Sequence, residues 1–146
     1  MQSAPLAKLA VTGFDRNTGA LLTGWPEVVQ SLGVIFSTGI GQRIMRRHFG
    51  SRVPGLLGEN LTPATVLRFV SAVTIAVDLW EPRYRVIKVD VPEQGNSPEK
   101  LRTGALALTI RGEYRPRALQ GDLTPAQGEY LLTVGLGAGG AVVLTP

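Results

Sequence analysis

Apolar residues recur at helical spacing in two stretches of this chain and alternate at strand spacing in two others. Over residues 26–37, Val28, Val29, Leu32, Ile35 and Phe36 fall on one helical face. Pro26 suits the first turn, where its missing N–H costs nothing, and Gly39 and Gly41 break the pattern afterwards. A second helix has a clearer start: Thr62 can cap it and Pro63 can take its first position. Val66, Phe69, Val70, Val73, Val77 and Trp80 give it a broad apolar face, leaving a narrow polar stripe of Arg68, Ser71, Thr74 and Asp78. So apolar a helix is expected to be buried on most of its circumference, between a sheet and the first helix. Pro82 ends it, because the residue before a proline disfavours helical geometry.

The strands read by alternation. Tyr84 and Val86 share one phase, and Ile87, Val89 and Val91 share the other, which predicts a β-bulge near Val86 and Ile87. Leu106, Leu108, Ile110 and Tyr114 alternate with Ala107, Thr109, Arg111 and Glu113, and this strand is expected to pair antiparallel with 84–91. Residues 5–23 predict a hairpin or a pair of extended pieces, with a turn at Asn17, Thr18 and Gly19. Residues 42–58 predict a short strand and then a helical turn, and 129–146 predict two short strands around "GAGG". Residues 92–104 and 117–128 read as polar loops. The fold class that follows is α+β, with two or three helices packed on a small, mostly antiparallel sheet in a single domain, 1–146.

Composition changes this picture in one respect. Charged residues make up only 18% of a chain that is 44% hydrophobic, a bland surface that suits a subunit with much of its face covered. The net charge of +4 draws acidic partners in general without singling out nucleic acid. Arginine far outnumbers lysine, which favours planar, geometry-specific contacts. There is no cysteine, so disulfides and thiolate metal sites are excluded. The start of the chain shows no secretory pattern. The most apolar stretch, 66–80, carries Arg68 and Asp78, so no membrane partner is expected.

Candidate chemistry is thin. His48, the only histidine, lies in "RRHFG" beside two arginines, a poor setting for a general base. One histidine and no acidic loop predict neither a metal site nor a cofactor. Glycoside hydrolysis needs paired carboxylates, for which Glu59, Asp78 and Glu81 are the candidates. Nothing else marks a sugar cleft, and a salt-bridged helix end explains Glu81 more simply. Gly39-Ile40-Gly41 lacks the rest of a phosphate loop. Arg43, Arg46, Arg47 and Arg52 form the densest basic cluster, without the aromatic platform that nucleic-acid binding would use.

"IFSTGIGQRIMRRHFGS" followed by "WEPRYRVIKVDV" resembles the GPW-like baseplate wedge proteins of contractile phage tails, also called sheath initiators, which have relatives in type VI secretion baseplates. Thr38, Gly41, Arg43, Phe49 and Gly50 match the first family motif; Glu81, Pro82 and Arg83 match the second; 106–114 matches the final strand. Gln42 stands where the family usually has glutamate, and Arg47-His48 replaces a more acidic or proline-bearing pair. The resemblance covers 24–116, leaving 1–23 as an N-terminal hairpin extension and 117–146 as a C-terminal strand extension. It implies a structural role in the virion, without enzymatic activity, for a protein assembled in the host cytoplasm. It implies that Glu81, Pro82 and Arg83, with Trp80 and Arg43, dock on a helical core bundle of other wedge subunits. It implies strand addition by tail sheath arms at an edge in 104–115 or 129–146, with the tail tube as a further contact. A lysozyme-like label attached to the family is the alternative. Residues 81 and 83 of an extended segment should point the same way, so Glu81 and Arg83 are expected as two fixed ions offered to a partner, with Arg83→Ala sparing the fold. A local Glu81–Arg83 pair closing the helix end is the competing arrangement.

Overall fold

The computed structural model describes residues 12–137 and 139–144. Strands β1 (Thr12–Phe14) and β2 (Leu21–Thr23) form the predicted hairpin, whose expected first part, residues 5–11, lies outside the described residues. Asp15 builds the turn: its carboxylate accepts the Asn17 N–H at 2.8 Å, and its carbonyl accepts the Gly19 N–H at 2.8 Å.

Helix α1 (Trp25–Ser37) buries Val28, Leu32, Ile35 and Phe36, as its spacing predicts. Residues 38–52 form an irregular loop, so the strand expected there is reduced to one parallel bridge between Gly39 and Ser51. The single helical turn α2 (Val53–Leu56) follows. Helix α3 (Pro63–Trp80) starts where the cap signal placed it, with the Thr62 hydroxyl accepting the Thr65 N–H at 3.2 Å. It is long and apolar enough, by length and composition, to cross a membrane. Here its Phe69, Val73, Ala76 and Val77 lie in the core, against α1, α2 and the following strand.

That strand, β3 (Tyr84–Asp90), pairs antiparallel with β4 (Leu106–Tyr114), and the register slips between Val86 and Lys88. The phase change in the sequence is therefore a bulge, with Ile87 as the extra residue. The connection between them is not all loop: α4 (Pro98–Arg102) is capped by Ser97. Buried Asn96 pins this connection to β4, donating to the Ala107 carbonyl at 2.8 Å and accepting the Ala107 N–H at 2.7 Å. Strands β5 (Tyr130–Gly137) and β6 (Gly140–Leu144) complete a sheet in the order β3-β4-β5-β6. Leu106, Leu108 and Ile110 of β4 and Leu132, Val134 and Leu136 of β5 face the helices and form one core with them. Helix α1 lies over β6 and α3 over β3. The fold is α+β, with small antiparallel sheets.

One expectation for α3 is corrected. Leu67, Ile75 and Leu79 stand 67%, 57% and 66% exposed, so the helix is covered on its sheet side and bare on the other. Apolar composition sets how much of a helix could be buried, whereas its neighbours set how much is.

Candidate functional site

The site begins at the joint between α3 and β3. Glu81 has left helical geometry, at φ −126° and ψ 79°, and caps α3 through its backbone N–H, which donates to the Val77 carbonyl at 2.9 Å. Two residues on, the Arg83 backbone carbonyl accepts the Arg115 N–H at 2.7 Å, which continues the β3–β4 ladder. Between these anchors Pro82 is exposed, while Glu81 and Arg83 are 2% and 6% exposed. The period-two argument holds: the two side chains point the same way. The direction is inward, so the expected outward presentation of both ions is corrected.

The two charges form a fork-to-fork pair. Arg83 Nε donates to Glu81 Oε1 at 2.7 Å, and Nη2 donates to Oε2 at 3.0 Å. A third residue, Glu27 in the first turn of α1, accepts from Arg83 Nη1 at 2.8 Å. Bidentate geometry of this kind is the strong form of a charge-assisted contact. Burial works against the Arg83 charge, but hydrogen bonding to Glu81 and the fields of both carboxylates outweigh it, and its pKa lies above the usual arginine value. The β1–β2 hairpin covers the group. Gly13 lies over Glu27, where a Cβ would come 3.0 Å from the Glu27 side chain, and the Gln30 amide clamps the hairpin by donating to the Phe14 carbonyl at 2.8 Å. Glu27 was missed from sequence. It lies 56 positions from Arg83, and an acidic residue in a first helical turn is ordinary on dipole grounds alone.

Beside this triad lies an aromatic cluster. Trp25 packs on Tyr84, Tyr114 and Tyr130 at ring separations of 5.2, 5.6 and 4.8 Å. The Tyr84 hydroxyl donates to the Tyr130 carbonyl at 2.8 Å, and burial raises its pKa. Helix α1, the joint and the sheet are thereby locked together.

Trp80 faces the loop of the first family motif. Its indole N–H donates to the Gly50 carbonyl at 3.0 Å, and its ring lies 5.0 Å from Phe49. Arg43 stacks on the other part of this group, its guanidinium 4.4 Å from the Phe49 ring centre. Gly50 has φ +128° and lies against the Thr38 carbonyl, which a Cβ would approach to 2.5 Å, so only glycine fits. Gln42 helps close the loop, since its side-chain oxygen accepts the Gly39 N–H at 2.8 Å. His48 is exposed and lies 5.6 Å from the Trp80 ring. Trp80→Phe keeps the stacking and leaves the Gly50 carbonyl without this donor. The expected loss is about 1 kcal/mol in urea unfolding, with faster amide exchange confined to residues 38–51.

Of the five residues singled out from sequence, Trp80 and Arg43 are thus joined through Phe49, and Glu81 and Arg83 through their own ion pair. Pro82 is the exposed point between the groups. The carboxylates read as glycosidase candidates do not gather. Glu59 pairs loosely with Arg68 at 3.7 Å, Asp78 is exposed on α3, and both Glu81 oxygens are taken by Arg83. Among the described residues, no three His, Cys, Asp or Glu side chains group as metal ligands.

The sheet edges are the other candidate surface. The segment 104–115, considered as an edge, is corrected: β4 lies between β3 and β5 and has no free side. Among the described residues, the edges of the four-stranded sheet are β3 and β6. Edge β3 carries the bulge and exposes Arg85 and Lys88, devices that discourage strand pairing. Edge β6 has neither a charged residue nor a register break.

Known proteins resemble this chain in sequence and fold. The family model for baseplate wedge protein gp25 matches residues 25–118. Baseplate protein W of Escherichia phage P2 is 30% identical over 102 residues, 70% of this chain and 83% of that protein. Among solved structures, a protein from Geobacter sulfurreducens, provisionally designated a tail lysozyme, superposes with a TM-score of 0.57 at 25% identity, covering 77% of this chain and 88% of that one. A chain in the post-contraction baseplate of pyocin R2 superposes with a TM-score of 0.58 at 24% identity, covering 70% and 97%. The two motifs, the matched span and the phage P2 relative converge, and this chain belongs to the baseplate wedge protein family of contractile tails.

Proposed function

We propose that the chain is a non-enzymatic building block of a contractile-tail baseplate that joins wedge subunits and templates the first sheath ring. The observation that carries this reading is the asymmetry of the sheet edges. One edge is bulged and charged, and the other is regular and uncharged, ready to take an extended arm as a fifth strand. Main-chain hydrogen bonds would supply the affinity there, with little demand on side-chain identity. The joint makes the second contact. Exposed Pro82, with Trp80 and the Arg43 that reaches it through Phe49, faces a helical bundle of neighbouring wedge subunits, and the buried Glu81–Arg83 pair with part-buried Glu27 fixes the shape of that bend. The tail tube is a further neighbour of a subunit in this position. Assembly takes place in the host cytoplasm and the finished chain resides in the virion.

Hydrogen exchange tests the strand. In the free chain, amides of residues 140–144 that do not pair with β5 should exchange rapidly. In assembled tails carrying sheath they should be protected by about a hundredfold or more. Equal exchange in both states would remove the templating role. The lysozyme designation of the Geobacter relative supplies the competing outcome: clearing of peptidoglycan by the purified chain, lost in Glu81→Gln, would make it an enzyme. A general acid must reach substrate with its proton, and Glu81 is buried with both oxygens bound to a guanidinium.

A further inference from the structure

The bare side of α3 forms one wall of a groove with a volume of about 680 Å³. Leu67, Ile75 and Leu79 line it at intervals of eight and four residues, so with Ser71 they follow one i, i+4 ridge of the helix. Ile40 and Leu56 line the opposite wall, and Ile40 is itself 57% exposed. Ser71, Ala72 and Ala76 keep the α3 side low, which lets another backbone come close. The row spans about 18 Å, the length of roughly twelve helical residues.

Charge narrows the occupant. Arg52 stands in the groove wall, and Arg43, Arg46 and Arg47 lie in the adjoining loop. None of the four makes an ion pair among the described residues. Arg68, on the α3 side, reaches only Glu59, at 3.7 Å. A second copy of this chain would bring the same arginines to the same place and be repelled. A lipid surface would need a convex apolar face, whereas this one is recessed between two walls. Nucleic acid would meet an apolar floor with no ring on which to stack bases.

We infer that this groove receives an amphipathic, acidic helix of another baseplate polypeptide, its apolar stripe on Leu67, Ile75 and Leu79 and its carboxylates against Arg52 and Arg68. This rests on the reading that the chain is assembled with other baseplate subunits, and it adds a third contact face distinct from the β6 edge and from Pro82.

The test uses the full chain in purified tails, with a photo-cross-linking residue at position 75. The expected product joins position 75 to a helical segment rich in Asp and Glu in a different baseplate polypeptide. Ile75→Glu and Arg52→Glu, both at exposed positions, should each lower incorporation into tails about tenfold while leaving the unfolding midpoint unchanged. A cross-link to a second copy of the chain, to lipid or to nucleic acid would overturn the inference. So would the absence of any cross-link from a chain that is present in the particle, or normal incorporation of both variants. Absence of the wild-type chain from tails would overturn the baseplate reading itself, and this inference with it.

Discussion

Arg83→Ala should lose about 3–5 kcal/mol of stability, because it removes the only cation from a group of two carboxylates and leaves Glu81 buried without a counter-charge. The sequence alone, read as a display of two ions, predicts an intact fold for this variant, so the measurement separates two accounts of the same three residues. Urea unfolding followed by tryptophan fluorescence reads it directly, since Trp80 ends α3 just before the joint and Trp25 packs on Tyr84 just after it. Desolvating three charges offsets most of the attraction between them. Replacing Glu27, Glu81 and Arg83 together with methionine should therefore recover most of the loss. Wild-type stability in Arg83→Ala would mean that the guanidinium is solvated and the joint open.

Gly112→Ala carries the second large effect. Gly112 sits opposite Val86, beside the bulge, with the Tyr84 ring lying across it. A Cβ there would press on the Arg85 carbonyl and come 2.7 Å from the Tyr84 ring. The ring cannot swing aside easily: its hydroxyl is bonded to the Tyr130 carbonyl and its face is packed on Trp25. Overpacking at such a point should cost about 3 kcal/mol and lower the melting temperature by about 10 °C. Gly55→Ala is the control, since a Cβ there meets nothing within 4 Å. It should leave the melting temperature unchanged or slightly raised.

What could be read from the sequence follows the range of the forces involved. Local signals worked: the Thr62 cap with Pro63, the apolar face of α1, the alternation in β4 and the phase change at Ile87 all depend on residues within a turn or a strand of each other. The helix α4 carries the same kind of signal, Ser97-Pro98 with Glu99 behind it, inside a stretch read as loop because its polarity outweighed its cap. The direction of Glu81 and Arg83 was not local. Alternation says that the two agree, but only the position of Glu27 on α1 and the hairpin above it says that they turn inward. Strand order was hidden for the same reason: β4 has the strongest strand pattern because it is central, and a central strand offers no edge. The bare row on α3 is the converse. Its residues look like core, and only the arrangement of neighbouring elements leaves them in water.

On the proposed reading three surfaces of this chain, the β6 edge, the Pro82 joint and the α3 groove, face other chains, while its most conspicuous charges hold its own fold together. An electron cryo-microscopy map of the assembled baseplate tests that division most directly. The account predicts Arg83 still bound to Glu81 and Glu27 of its own chain, a neighbour resting on Pro82 and Trp80, and a strand from a sheath subunit running beside β6. A map in which Arg83 has left Glu81 for a carboxylate of a neighbouring chain, or in which β6 borders only solvent, would contradict it.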